Sequence, residues 1–176
     1  MRVKKLAALA ACVLLACGGR PGGGAATPPG VVGATGAPIA MVLPALDGGS
    51  LDLASLRGQI VVLHVFTTWS LAAQAEVDAL RAADQRPDVT VVGVALDPEG
   101  HLLVAPWRNA SEVRYLIGLA DDAVRAGKSP LGPLPSVPTT IVLDRAGRIH
   151  GRADRQLTPA ELDAMIAAAA RAARAA

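Results

Sequence analysis

The residues best placed for chemistry are Ser70 and Glu76, which lie at and just beyond the start of a segment with helical periodicity. A serine hydroxyl becomes a nucleophile when a base lies within hydrogen-bond reach and a third group orients that base. The sequence has neither a G-x-S-x-G motif nor a histidine close to Ser70. Ser70 is therefore predicted to cap the helix. Glu76 is predicted to be either a relic base or a carboxylate that stabilises the helix through its dipole.

Metal binding is the second chemistry to consider, and the imidazole groups of the chain are His64, His101 and His150. They lack the paired spacing of metal ligands, and no cysteine or acid at ligand spacing accompanies His64. Because His64 lies inside an apolar run, we expect it to be a packing residue in a strand. No metal and no other cofactor is predicted.

Both cysteines lie near the N-terminus, where apolar residues 6–16 follow three basic residues. This layout is typical of a secretory signal, and the run is shorter than the ~20 residues that a membrane span needs. Cys12 lies within the run, and residues 14–17, LLAC, resemble a bacterial lipobox whose cysteine is acylated. We expect residues 1–16 to be removed, Cys17 to carry lipid, and the mature chain to have no free thiol. An ordinary signal peptide is the alternative.

The net charge of the chain excludes nucleic acid as a partner. The formal charge of +2 comes from 17 Lys and Arg against 15 Asp and Glu, and removal of residues 1–16 leaves 14 against 15. Such a chain lacks the clustered basic residues that displace counterions from phosphates, so nucleic acid is excluded.

The expected location is the periplasmic face of a bacterial envelope membrane. An outer-membrane destination is favoured because Gly18, not Asp, follows Cys17.

The elements that position Ser70 are a strand and a helix. Residues 60–66 are almost wholly apolar, as in a strand buried on both faces. Residues 71–83 have an apolar helical face, and residues 89–96 form a second apolar run. This order predicts a right-handed βαβ unit with parallel strands. The helical face includes Ala73, Val77, Leu80 and Ala83.

The flanking segments complete one domain over residues 38–176, after a Gly/Pro-rich tether over residues 17–37. A hairpin is predicted around turn 47–50, and a second around turn 144–147. Between them we expect a helix at 102–109, a strand at 113–117 and a helical turn at 121–126. Thr158 and Glu161 form a capping box for the last helix. Trp107 is either a packing cover for the sheet or an exposed anchor for a partner.

This order of elements resembles the thioredoxin-like fold of TlpA/ResA-type (redoxin, AhpC/TSA-type) thiol-disulfide oxidoreductases. The resemblance implies an α/β three-layer fold, with a central mixed sheet flanked by helices and an N-terminal β-hairpin. It is carried, in the family's order over residues 38–166, by LDLASLRGQIVVLHVFTTWS, QAEVDAL, SVPTTIVLDRAGRI and LTPAELDAMI.

The resemblance also implies where an active site would lie. The family's W-C-x-x-C motif falls on residues 69–73, where Trp69 is kept and Ser70 and Ala73 replace both cysteines. The family's acidic residue matches Glu76, although Asp78 stands where a proline is usual. The family's loop proline, typically cis, matches Pro138. A peroxiredoxin-like alternative, suggested by Thr67, needs the same missing cysteine at position 70.

Loss of the cysteines separates binding from catalysis. Disulfide exchange requires a thiolate, which Ser70 cannot supply, and Ala73 has no resolving thiol, so no catalytic residue is expected. Relatives hold an extended peptide beside the loop proline through the backbone of the preceding residue, here Val137. We define the peptide groove as Trp69, Ser70, Val137 and Pro138, and predict binding of an envelope protein or peptide there. The alternatives are a role in envelope thiol-disulfide exchange and a structural lipoprotein whose groove has closed.

Overall fold

The computed structural model describes residues 36–172. The predicted signal peptide, the lipidation site Cys17 and residues 17–35 of the predicted tether lie outside this range. So does Ala173, which the apolar pattern places on the last helix.

The elements follow the predicted order from hairpin to final helix. The strands are β1 (Val42–Pro44), β2 (Ser50–Asp52), β3 (Ile60–Phe66), β4 (Val89–Ala95), β5 (Leu116–Leu119), β6 (Thr139–Leu143) and β7 (Ile149–Ala153). The helices are α1 (Leu71–Gln74), α2 (Val77–Asp84), α3 (His101–Ala110), α4 (Asp122–Arg125) and α5 (Pro159–Ala172), and a 3-10 turn covers Leu53–Leu56.

The described part of the chain builds one five-stranded sheet in the order β5-β4-β3-β6-β7. Strands β3, β4 and β5 are parallel, whereas β6 and β7 run antiparallel to their neighbours, so the sheet is mixed. Strands β1 and β2 form a separate antiparallel hairpin that joins the edge of β5 through a bridge between Ala45 and Gly118. These features confirm the predicted fold class.

Strand β3 is the middle strand of the sheet, and side chains cover both of its faces. All seven of its residues are buried, as the apolar run predicts. Val62 and Phe66 pack into a cluster with residues of α2, α3 and α5. Leu63 and Val65 pack on the other face, with the hairpin and α4. The strand that leads into Ser70 is therefore fixed in the centre of the molecule.

The first helix is interrupted where the periodicity predicts continuity. Helix α1 ends at Gln74, α2 begins at Val77, and residues 75–76 form a turn. Ala73 and Leu80 are nevertheless buried on one side, as predicted. The break leaves the apolar face intact, so periodicity alone does not reveal it.

Strand β5 begins at Leu116, not at residue 113. The side chains of Val113, Tyr115 and Ile117 are all buried, so the predicted alternation is present. The ladder with β4, however, begins with the pairing of Val92 and Leu116. Alternating burial thus starts before the hydrogen-bonded strand does.

The two interpretations of Trp107 are resolved in favour of packing. Its side chain is buried, and its ring lies 4.6 Å from that of Phe66, measured between ring centroids. Trp107 therefore packs on the face of the sheet that α2, α3 and α5 cover.

Within residues 36–172, no helix has both the length and the apolar character to cross a bilayer.

Candidate functional site

The turn between β3 and α1 is held by a buried carboxylate at the end of β4. The Thr68 hydroxyl donates to Asp97 Oδ1 at 2.6 Å, and the Thr68 amide donates to both carboxylate oxygens at 3.2 Å. The side-chain amide of Gln74 donates to the Thr68 carbonyl at 2.9 Å. Asp97 is 1% exposed, and carboxylates in such settings make strong hydrogen bonds. Neighbouring strand ends therefore fix residues 67–70.

Ser70 caps α1, as the sequence predicts. Its Oγ accepts a hydrogen bond from the Ala73 amide at 3.2 Å, and its backbone has the extended conformation usual for an N-cap. Within residues 36–172, no histidine or carboxylate side chain hydrogen-bonds to the Ser70 hydroxyl. Ala73 is fully buried in the cluster between the sheet and helices α2, α3 and α5. This geometry lacks the base that a serine nucleophile needs.

The loop before β6 brings Pro138 to the same edge of the sheet. Strand β6 is antiparallel to β3, and Thr139 pairs with Val65, one residue before the end of β3. Residues 137–138 therefore lie beside the turn that follows β3. The Val137–Pro138 peptide bond is cis, as the family resemblance implies.

Asp154 fastens this loop. Its backbone carbonyl accepts the Ser136 hydroxyl at 2.6 Å, and its Oδ1 accepts the Thr139 hydroxyl at 3.0 Å. Partial burial raises the pKa of the Asp154 carboxyl, but hydrogen bonds from Arg152 and Thr139 outweigh burial and hold it below its ordinary value. The carboxylate is therefore the stable form of Asp154 at neutral pH.

The backbone of Val137 is available for pairing. Its N–H and C=O form no hydrogen bond with any other part of the described chain. Its side chain is half-buried, whereas Pro138 is buried. Backbone polar groups are almost always paired in folded proteins, by protein atoms or by water. An extended segment laid beside Val137 would supply partners for both groups.

Exposed apolar side chains stand on the same turns. Trp69 is 60% exposed and Leu71 is 79% exposed, although both side chains are large and apolar. Leu102 and Leu103, in the first turn of α3, are also exposed, and α3 follows the loop that carries Asp97. Large exposed apolar groups gathered at one edge are typical of interaction sites.

The sequence places no acid at ligand spacing from His64, but the fold brings one beside it. Glu76 lies in the turn before α2, and its Oε2 is 3.1 Å from Nε2 of the fully buried His64. The two atoms are close but not aligned as a hydrogen bond, and His64 Nδ1 has no partner in the part of the chain described. The signal was present, because Glu76 falls on the predicted apolar face, three residues after Ala73 and four before Leu80.

The other two histidines lie on different elements. His101 is exposed at the start of α3, and His150 is buried in β7. Residues 36–172 contain no cluster of three or more His, Cys, Asp or Glu side chains that could hold a metal ion. A polar cavity of about 270 Å³ lies between α2 and the segment before β5, away from the peptide groove; Arg81, Asp84, Gln85, Glu112, Arg114 and Tyr115 line it.

Comparison with known proteins places these features in a known fold. No family model and no curated protein sequence matches the chain. A solved DsbF homologue from Corynebacterium diphtheriae is 25% identical, with a TM-score of 0.64 over 74% of this chain and 85% of that chain. A thioredoxin-family thiol:disulfide interchange protein from Chlorobium tepidum is 24% identical, with a TM-score of 0.65 over 78% and 97%. A secreted disulfide oxidoreductase from Mycobacterium tuberculosis is 22% identical, with a TM-score of 0.62 over 73% and 95%.

The chain has the thioredoxin-like fold. The resemblance to TlpA/ResA-type proteins is therefore confirmed at the level of the fold. In this thioredoxin-like domain, positions 70 and 73 occupy the N-cap and first turn of the helix that follows the central strand. The loop that contains Pro138 lies beside that turn. The turn and the loop at which the sequence predicts a site are thus both present, with serine at position 70 and alanine at position 73.

Proposed function

We propose that this chain is a redox-inactive, lipid-anchored thioredoxin-like module that binds an extended protein or peptide segment in the peptide groove. The observation that carries the proposal is the backbone of Val137, whose N–H and C=O make no hydrogen bond with another described residue. Residues 36–172 contain no cysteine, so this edge offers pairing groups without a thiolate. Binding by strand addition needs no sulfur.

The exposed side chain of Trp69 supports the same function. Trp69, which belongs to the peptide groove, is exposed, and tryptophan is a frequent hot-spot residue in interfaces. A bound segment would gain affinity from backbone pairing with Val137 and specificity from contact with Trp69. The buried Asp97 carboxylate holds the turn that carries Trp69, so this anchor is preorganised.

The test is a binding measurement that isolates backbone pairing. An array of octapeptides is probed with the purified chain, and the tightest octapeptide is measured by calorimetry beside analogues N-methylated at single backbone nitrogens. We expect one analogue to lose affinity and Trp69→Ala to weaken binding by roughly tenfold or more. Leu116→Ala is the matched control, because Leu116 is an exposed apolar residue on β5. Binding that survives every N-methylation would contradict strand addition.

Redox inactivity has its own measurement. The chain is incubated with insulin and dithiothreitol, and insulin reduction is followed by turbidity. We expect the rate of the uncatalysed reaction, because Ser70 forms no stable bond to sulfur. A rate clearly above that background would refute this part of the proposal.

The anchor is proposed from Cys17 and its neighbours. Two acyl chains, carried by one lipid that is thioether-linked to Cys17, would hold the domain at the periplasmic face, since each buried methylene contributes ~0.8 kcal/mol. The residue that follows, Gly18, favours the outer membrane. Mass spectrometry of membrane-extracted protein is expected to show acylated Cys17 as the first residue, and an unmodified Cys17 would oppose the anchor.

A second candidate function is participation in envelope thiol-disulfide exchange through the cysteines of a partner. It is favoured by the descriptions of the similar structures, which are thiol:disulfide interchange proteins and disulfide oxidoreductases. Such a role would require a partner protein with a reactive cysteine pair. Crosslinking from position 70 in intact cells, followed by identification of the captured cysteine residues, distinguishes this role from peptide binding without exchange.

A further inference from the structure

The buried pair of His64 and Glu76 belongs to a series of contacts that ends at the peptide groove. Glu76 Oε1 accepts a hydrogen bond from the backbone N–H of Leu157, in the segment between β7 and α5. Its other oxygen lies 3.1 Å from His64 Nε2. The Glu76 carboxylate therefore connects the central strand and the start of α2 with segment 154–158.

The same segment holds the loop of the groove at its other end. Asp154 accepts the hydroxyl of Ser136 through its backbone carbonyl and the hydroxyl of Thr139 through its carboxylate. Ser136 and Thr139 lie on either side of the Val137–Pro138 bond. The backbone that would pair with a ligand is thus fixed to Asp154, three residues before Leu157.

Burial makes the Glu76 contact hard to replace. Glu76 is 4% exposed and Leu157 is 6% exposed, so bulk water does not compete at either group. No other residue of the described range accepts a hydrogen bond from the Leu157 amide. A buried backbone N–H that loses its acceptor is costly, and the segment that carries it shifts to find another.

We propose that Glu76, which lies against His64, is a positioning residue for the peptide groove. Its Oε1 holds Leu157, Leu157 sets segment 154–158, and Asp154 in that segment sets the backbone of Val137. The effect on ligand affinity rests on the proposed function. The effect on the loop does not, because it is a property of the ligand-free chain.

The experiment replaces the pair while keeping the interior filled. In the full chain, Glu76→Met is combined with His64→Leu, since apolar residues of similar volume often replace a buried polar pair without unfolding the protein. Amide resonances of Ser136, Val137 and Leu157 are recorded without ligand, and affinity is measured for the tightest octapeptide of the array. We expect the three amides to move and affinity to fall by roughly tenfold.

Two further variants separate positioning from general damage. Glu76→Gln keeps an acceptor oxygen of equal reach and is expected to retain the original amide positions and an affinity within about twofold of the original. Glu112→Met is the matched control, because Glu112 is an exposed glutamate on the turn after α3. We expect it to change neither the amides nor the affinity.

The outcomes are distinguishable. An unmoved Val137 amide in the double variant overturns the proposal, and so does a Glu76→Gln variant that loses as much affinity as the double variant. If the double variant does not fold, Glu76→Asp decides. Its shorter side chain should displace both Leu157 and Val137, and an unmoved Val137 amide again overturns the proposal. If no octapeptide binds the original chain, the proposed function fails while the ligand-free amides still decide the positioning role.

Discussion

Positions 70 and 73 differ in their surroundings, and this difference limits what each side chain can do. Ser70 is half-buried at the start of α1, with its hydroxyl occupied by the Ala73 amide. Ala73 is fully buried in the cluster between the sheet and helices α2, α3 and α5. Position 70 is thus the one a partner can approach, and position 73 contributes packing. Ser70 stabilises the helix start and presents no activated nucleophile.

Replacing Ser70 with alanine tests the capping role. Ser70→Ala removes the acceptor for the Ala73 amide and should lower the free energy of unfolding by about 1 kcal/mol. Ser70→Asp should retain most of that stability, because aspartate is an equally good N-cap. Urea denaturation measures both variants. Equal losses in the two variants would show that the hydroxyl has another structural role.

At the scale of elements, the hairpin β1–β2 fits against β5 through one glycine. A Cβ at Gly118 would lie 2.7 Å from Leu43 Cδ1 and 2.9 Å from Leu43 Cβ, and Leu43 is fully buried. The nearer atom ends a flexible side chain, but the second is fixed to the backbone of β1. The close approach of the two elements therefore depends on the missing side chain.

Gly118→Ala is accordingly expected to destabilise the protein by about 1 to 3 kcal/mol through overpacking. Leu43→Ala alone should cost about 2 to 5 kcal/mol, since it empties a buried site. The double variant should cost less than the sum of the two, because the smaller residue at 43 relieves the clash at 118. Urea denaturation of the four proteins gives the coupling, and strict additivity would refute the steric account.

Helix α5 carries a pH-dependent cap. The Thr158 amide donates to Glu161 Oε2 at 2.8 Å, and the Glu161 amide donates to the Thr158 hydroxyl at 3.3 Å, as the capping box predicts. A hydrogen bond from Arg155, and then those from Thr158, lower the pKa of Glu161 from 4.5 to about 2. A folded-state pKa below the ordinary value means that stability is present above pH 4.5 and lost as the pH falls toward 2.

Glu161→Gln should therefore flatten the dependence of stability on pH between 4.5 and 2. It should also be less stable than the original chain at pH 7, because the amide side chain carries no charge for Arg155. Urea midpoints measured at pH 7, 4.5, 3 and 2 test both effects. Glu99→Gln is the control, since Glu99 is exposed and makes no ion pair with another described residue. An unchanged slope in Glu161→Gln would rule out this linkage.

These elements also show which parts of the structure local sequence determines. Residues 60–66 form β3 as predicted, because a continuous apolar run suits a strand covered on both faces. The turn at residues 75–76 carries no glycine or proline, so no local signal marks it. The contact between Glu76 and Leu157 joins residues 81 positions apart. Periodicity places Glu76 inside, but only tertiary structure shows what it contacts.

At the scale of the whole molecule, topology assembles the candidate site. The parallel strands β3 and β4 end at the same edge, and antiparallel β6 begins there. The turn after β3, the loop after β4 and the loop before β6 are therefore neighbours, although residues 68, 97 and 138 are distant in sequence. The fold confirmed by the solved structures supplies this arrangement irrespective of which side chains occupy positions 70 and 73.

It follows that the site should recover thiol chemistry when cysteines are restored. In Ser70→Cys/Ala73→Cys, the thiolate at 70 would accept the amide hydrogen bond that Ser70 now accepts, which lowers its pKa. A pKa near 7 instead of about 8.5 raises the thiolate fraction at pH 7 from about 3% to about 50%, roughly fifteenfold. We expect the double variant to catalyse insulin reduction by dithiothreitol. Ser70→Cys alone should not turn over, because it lacks a resolving thiol. A folded but inactive double variant would indicate that the groove has closed, and would favour a purely structural lipoprotein over a peptide-binding one.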